Sequence, residues 1–195
     1  MAAPLKSLGE LTSVISGLTL REKPSHDPLG EVHLIQVRDV ANLYPEIDDD
    51  LLHIPLTAVP SQQLLHLHDI LLLAKGPHNP ALLYTKPWPY AAAVSFFFRL
   101  RVLDPAGTHP GYLAWYLNSA PSQAALLNLR QGSSVAGITK PLLVALEIPV
   151  PNLITQRHIA QVADALLRET KLADTLRAKR AQAIEQALLN QLRHD

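Results

Sequence analysis

The chain has 195 residues, is 48% hydrophobic, and carries 17 Lys+Arg against 17 Asp+Glu with no cysteine. That length suits one medium domain plus an extension. The absent cysteine excludes disulfides and thiolate metal sites, and the zero net charge removes any whole-chain electrostatic signature of nucleic-acid binding.

From the start, Met1–Val14 lacks a basic region followed by an apolar core, so no signal peptide is expected. Apolar runs such as Ile70–Ala74 and Ala91–Val94 are far shorter than a bilayer span. A soluble cytoplasmic protein is therefore expected. Leu8–Ser16 predicts a short helix closed by Gly17. Leu18–Gly30 is a loop dense in charge and turn formers. Glu31–Val40 reads as a strand by its apolar spacing, followed by an acidic loop at Ala41–Asp50. Leu51–Thr57 reads as a short strand, and Ser61–Leu67 as a short helix or extended link. Asp69–Ala74 is a buried strand closed by Lys75–Pro80, and Ala81–Thr85 is a second strand. After the rigid Lys86–Pro89 turn, Ala91–Leu103 predicts one long strand with Arg99 and Arg101 alternating outward. Gly111–Arg130 holds two helices broken at Asn118–Ser119. Gln131–Lys140 is a glycine-serine loop, and Pro141–Ile148 gives a helical turn and a strand.

The last third organises the rest. Pro149–Val150–Pro151 cannot be helical, and Asn152 offers a cap to a new helix. From there to Asp195 there is no Gly or Pro, and strong helix formers dominate. A helix of about forty residues would be roughly 60 Å long. Ile159, Val162, Leu166, Ala173, Leu176, Ile184 and Leu188 recur at helical spacing, and a stripe on so long a helix needs a partner. Heptad positions also fall on Glu169 and Arg180, which weakens a two-stranded parallel coil. The expectation is an antiparallel homodimer through this stripe; the bland alternative folds the helix back on its own domain. The fold class is α+β: a domain over residues 1–151 with a twisted, mixed or antiparallel sheet and short helices, then a long coiled-coil-forming helix over residues 152–195.

Six elements in order carry a family resemblance: LGEL at Leu8–Leu11, GEVHLIQVRDV at Gly30–Val40, HDILLLAKG at His68–Gly76, GYLAWYLNS at Gly111–Ser119, QGSSVAGITK at Gln131–Lys140, and IPVPNLITQRHIAQV at Ile148–Val162. Together they resemble the specificity subunit of type I restriction-modification systems. A full-length member has two target-recognition domains and two spacer helices; this sequence shows one of each. His68 stands where the family has a glycine before Asp69, and Asn152 replaces the second proline of a pair. The resemblance implies a module that reads one half of a split DNA target and has no catalytic centre or cofactor of its own. Its implied partners are double-stranded DNA, a DNA adenine methyltransferase subunit using S-adenosylmethionine, and a restriction subunit.

Candidate DNA contacts are Arg21, Lys23, Arg38, Lys75, Lys86, Arg99, Arg101, Arg130 and Lys140, with Asn79 and Gln131 as adenine readers. Gly132–Ser133–Ser134 is a candidate phosphate cradle. Against these stands an ordinary solvated surface, and residues 1–151 carry 10 Lys+Arg against 12 Asp+Glu, a net of −2. His66, His68 and Asp69 lack a further metal ligand, so no metal is expected. Trp88 reads as a core edge, and Tyr112, Trp115 and Tyr116 as packing. Neither serine has a placed His and acid, so acyl-transfer chemistry is not expected. A protein-interaction module binding a methyltransferase, without DNA readout of its own, is the alternative function; an independent enzyme ranks last.

Overall fold

A computed structural model describes residues 3–20, 22–40, 47, 50–76, 78–131 and 137–191, with the side chain of Gln131 excluded. They fall into two compact units, residues 1–160 and 161–195.

The first unit begins with strand β1 (Leu5–Ser7) and a single helical turn, α1 (Leu8–Leu11). Ser7 and Glu10 close a capping box: the Ser7 Oγ accepts the Glu10 N–H at 3.3 Å, and the Glu10 carboxylate accepts the Ser7 N–H at 2.7 Å. The helix expected to continue to Ser16 stops here. Thr12–Ser16 forms strand β2, because its β-branched Thr12, Val14 and Ile15 are better accommodated in a ladder than in a helix. Gly17 ends no helix; a Cβ there would sit 2.3 Å from the Val94 carbonyl oxygen, so the glycine permits a close backbone approach.

Strand β3 is Val32–Ile35, shorter than expected because a 3₁₀ turn takes Val37–Asp39. Strand β4 is Leu52–Ile54, and Ser61–Gln63 is a 3₁₀ turn. Strands β5 (Ile70–Leu73) and β6 (Ala81–Leu83) follow as expected. Before β5, His68 sits at φ 70°, in the left-handed region that glycine favours.

The expected single strand Ala91–Leu103 is two: β7 (Ala91–Ala93) and β8 (Phe97–Val102). A turn at Val94–Phe96 separates them, closed by the Phe97 N–H donating to the Val94 carbonyl. The two halves then serve different sheets. β8 lies between β2 and β5 in a four-stranded antiparallel sheet of order β2–β8–β5–β6, whereas β7 pairs parallel with β3 in the sheet β4–β3–β7. Helices α2 (Pro110–Asn118) and α3 (Ala120–Asn128), hairpin strands β9 (Arg130–Gln131) and β10 (Gly137–Ile138), helix α4 (Lys140–Val144) and strand β11 (Glu147–Pro149) complete the domain, β11 pairing with β1.

Both faces of the four-stranded sheet are covered. Ile70, Leu72, Phe98 and Leu100 pack with Leu113 and Leu117 of α2, Leu126 of α3 and Leu143 of α4. Leu71, Leu73, Phe97, Leu82 and Tyr84 pack the other way, with Ile35 and Ala93 of the second sheet.

Helix α5 runs from Leu153 to Gln191. Asn152 caps it, its Oδ1 accepting the Thr155 N–H at 2.9 Å.

Candidate nucleic-acid interface

Register brings several loops to one end of the four-stranded sheet. Ser16 pairs with Phe98 and Leu73 with Phe97, so β2 and β5 finish where β8 starts. Leu18 bridges to Val94, and Lys75, two residues past β5, bridges to Gly137 of the β9–β10 hairpin. The Ile138 N–H donates to the Ala74 carbonyl at 2.9 Å, and Arg130 Nη2 to the Gly76 carbonyl at 2.6 Å. Residues 15–19, 74–80, 94–98 and 128–140 contain Lys75, Arg130 and Lys140 and no Asp or Glu. The neighbouring strand β3 ends beside Val94, whose N–H donates to Ile35. The carboxylate that follows it, Asp39, accepts the Gln36 N–H and pairs with Arg38 at 3.4 Å.

Of the expected contacts, Lys75 and Arg130 meet at this end, with the Gln131 backbone in the same hairpin. Lys75 is exposed, and its Nζ lies 5.5 Å from the centroid of the Phe96 ring. Phe96 itself is 43% exposed. A reading of Ala91–Leu103 as one strand hides Phe96; the clue is Ser95, a turn-former inside an apolar run. Lys140 is exposed at the start of α4.

Two expected contacts, Arg99 and Asn79, are corrected, and a third, Arg101, is tied to the fold while staying partly exposed. Arg99 does not point to solvent: it is buried, and its Nη1 donates to the Leu64 carbonyl at 3.3 Å. Burial pushes its guanidinium below the ordinary range, with Arg101 adding repulsion and Asp69 opposing both. Arg101 holds buried Asp69 through two bonds of 2.7 Å and also donates to the Leu64 carbonyl. Alternation was right about the face, but that face is covered at Arg99 and half-covered at Arg101. Asn79 is buried too; it donates to the Leu73 carbonyl at 2.8 Å and its own carbonyl accepts from Gln123, so it shapes the loop rather than reads a base.

The remaining candidates lie apart. Lys23 is exposed on the loop before β3. Lys86 Nζ is 5.4 Å from the Trp88 ring centroid, and His33 stacks parallel on Trp88 at 4.4 Å. Burial holds the His33 imidazole below its ordinary range, against the raising effect of its bond to the Tyr90 carbonyl. Trp88 is half-buried against the core, as expected of a core edge. Tyr112 is buried and donates to the Pro149 carbonyl at 2.6 Å, whereas Trp115 is left 39% exposed. Arg21, Ser133 and Ser134 lie outside the described residues. His66 and Asp69 form a turn, the Asp69 carboxylate accepting the His66 N–H at 2.8 Å.

On α5, Val162, Leu166, Leu176, Ile184 and Leu188 are exposed, and Ile159 and Ala173 half-buried. Gln156 escaped the sequence reading. It is fully buried, accepts the His109 N–H at 2.8 Å, and donates to the Gly107 and Pro151 carbonyls. A polar residue one turn past a proline-flanked cap was its signal.

No protein-family model and no curated protein sequence matches the chain. Solved structures do. The S subunit of the type I restriction-modification system from M. genitalium aligns with a TM-score of 0.59 and 18% identity, over 83% of this chain and 38% of that one. The HsdS subunit from Thermoanaerobacter tengcongensis aligns with a TM-score of 0.60 and 20% identity, over 88% and 38%. A chain from a study of type I R-M complex assembly and conformational transition aligns with a TM-score of 0.63 and 22% identity, over 98% and 43%. The structural neighbours are thus type I restriction-modification S subunits, and this chain has the corresponding fold: a mixed-sheet domain followed by a long helix. It spans about two fifths of the length of the chains it matches.

Proposed function

We propose that the chain is a sequence-reading specificity module of a type I restriction-modification system, its domain binding duplex DNA and its helix pairing with another helix. The observation that carries this reading is the alignment of domain and helix together, 98% of the chain in one case, on the fold of such subunits. It is supported by the strand-end segments that carry Lys75 and Arg130, whose described residues include no Asp or Glu, in a domain whose net charge is −2. The module is non-catalytic; methyl transfer with S-adenosylmethionine belongs to a partner methyltransferase, and cleavage to a restriction subunit. Two copies pair antiparallel through the exposed α5 stripe and present two recognition domains to a split, symmetric site in the cytoplasm.

The net of −2 limits non-specific attraction, which grows with the phosphates neutralised. The chain alone therefore binds weakly, and a methyltransferase partner tightens it. The test is selection from a random duplex pool, with the chain alone and with a candidate methyltransferase, at two salt concentrations. Enrichment of one split sequence is expected. Enrichment of none, with the methyltransferase still bound, would leave the interaction-module reading in its place. Light scattering checks the pairing: a dimer is expected, and the double variant Leu166→Asp/Leu176→Asp should run as a monomer. Burying each leucine is worth ~1.5–3 kcal/mol, so a monomeric parent at high concentration would sink the antiparallel pair.

A further inference from the structure

Phe96 is an exposed aromatic ring on a fixed piece of backbone. Its carbonyl accepts the Ala74 N–H at 2.8 Å, the Ser95 N–H donates to Leu18 at 2.8 Å, and the Phe97 N–H closes the turn on Val94 at 3.0 Å. Such anchoring is not needed to bury Phe96, since the ring is not buried. Lys75 lies over that ring at cation–π distance. Its backbone is held by the bridge to Gly137, where a Cβ would stand only 3.1 Å from the Lys75 Cγ. Glycine there leaves room for the lysine stem. No carboxylate pairs with Lys75 among the described residues.

The surroundings decide what such a ring meets. An apolar partner protein would be served by Phe96 without the flanking cations. The described residues of the four segments gathered here carry positive charge and no carboxylate, in a chain that is neutral as a whole. A polyanion fits that distribution, and a duplex groove offers both halves of the contact: phosphates along its rim and the pyrimidine C5-methyl on its floor.

We infer that this sheet end is the duplex-facing edge of the domain and that Phe96 is a base-reading residue there, its ring meeting a pyrimidine C5-methyl group while Lys75 meets a phosphate. The inference rests on the DNA-reading function proposed above. It assigns the readout to a residue that makes no hydrogen bond through its side chain.

The experiment takes the duplex selected by the whole chain and replaces each thymine by uracil, which removes only the methyl group; each cytosine is replaced by 5-methylcytosine as the converse. For the unaltered chain, one thymine-to-uracil change should weaken binding about fourfold, the worth of one buried methyl-sized group, or one cytosine methylation should strengthen it by a similar factor. Phe96→Ala should abolish that difference, and Phe96→Leu, still apolar, should keep most of it. Lys75→Ala should instead weaken all duplexes alike and make the salt slope shallower by about one, with the methyl dependence intact. Phe96→Leu keeps the test readable if Phe96→Ala unfolds. Should the unaltered chain select a sequence and both Phe96 variants keep its base preferences, the assignment of Phe96 is overturned and DNA reading stands. Should the unaltered chain select nothing, the function beneath the inference fails and the inference falls with it. Loss of methyltransferase binding in Phe96→Ala, with DNA preference unchanged, would make the ring a protein contact and overturn it as well.

Discussion

Arg99 and Arg101 leave β8 two residues apart on one face, and both guanidiniums end on protein: the Leu64 carbonyl for one, Asp69 and the same carbonyl for the other. Lys75, two residues beyond the neighbouring strand β5, ends on the exposed ring of Phe96. The first region uses cations to satisfy a carbonyl and a carboxylate inside the fold; the second holds Lys75 at the surface with no carboxylate paired to it among the described residues. The difference teaches that a cation's role follows from the acceptors its neighbours leave unsatisfied, not from its place in a strand pattern. It also matches side chain to task. Arginine's planar fork suits the bidentate grip on Asp69, and lysine's flexible, strongly hydrated ammonium suits a surface contact.

The sharpest way to break this comparison is Asp69→Ala. It strands Arg101 half-buried beside buried Arg99, and breaking one side of such a pair costs ~3–5 kcal/mol. Urea unfolding should show a loss of that order; a loss below about 1 kcal/mol would mean that the arginines are not structurally tied to Asp69. Second is alkaline unfolding. Burial, reinforced by the negative charge of Asp69, pushes the Tyr84 hydroxyl up to about 12. The folded state thus holds its proton where the unfolded chain has lost it. The stability this confers is complete below pH ~10 and is lost as pH rises through about 12. Over that window the loss is ~2–3 kcal/mol, and Tyr84→Phe should flatten it. Third, His68→Gly should raise the unfolding free energy by up to about 1 kcal/mol by relieving the left-handed backbone beside Asp69. A destabilised variant would show that the histidine side chain contributes more than its backbone costs. The smallest effect belongs to the surface region: Lys75→Ala should leave the unfolding midpoint within about 0.5 kcal/mol of the parent, while altering the salt dependence of DNA binding.

Much of the frame was legible in the sequence. Asp69–Ala74 read as a strand because a short apolar run between turn formers has few other uses. The start of α5 was legible because Pro149, Pro151 and Asn152 act locally, and local steric rules survive into the fold. The long strand failed at Val94–Phe96, where the chain changes partner from β3 to β2 and β5; partner exchange is a tertiary event that leaves only Ser95 as a trace. Arg99 and Arg101 were misplaced because a period of two separates faces without saying which face another layer covers. Asn79 was misread for a similar reason: its partners lie at Leu73 and Gln123, and nothing within the Lys75–Pro80 turn names the second. The gathering of Lys75, Phe96 and Arg130 depends on register and could not be read from spacing.

The charge distribution at the two ends of the four-stranded sheet has a kinetic consequence. Opposite the Lys75 end, Leu103 bonds back to Leu11 and Ser7 pairs with Glu147, which gathers Glu10, Asp104 and Glu147 along with Lys6. Within the described residues of these two ends charge is separated, with Lys75 and Arg130 at one and three carboxylates with Lys6 at the other. Such a separation of charge favours encounters in which the Lys75–Phe96 edge meets a polyanion first. Salt screens that preference over a Debye length of about 8–10 Å. Added salt should therefore slow association even where the bound contacts survive, a rate effect separable from affinity by stopped-flow measurement.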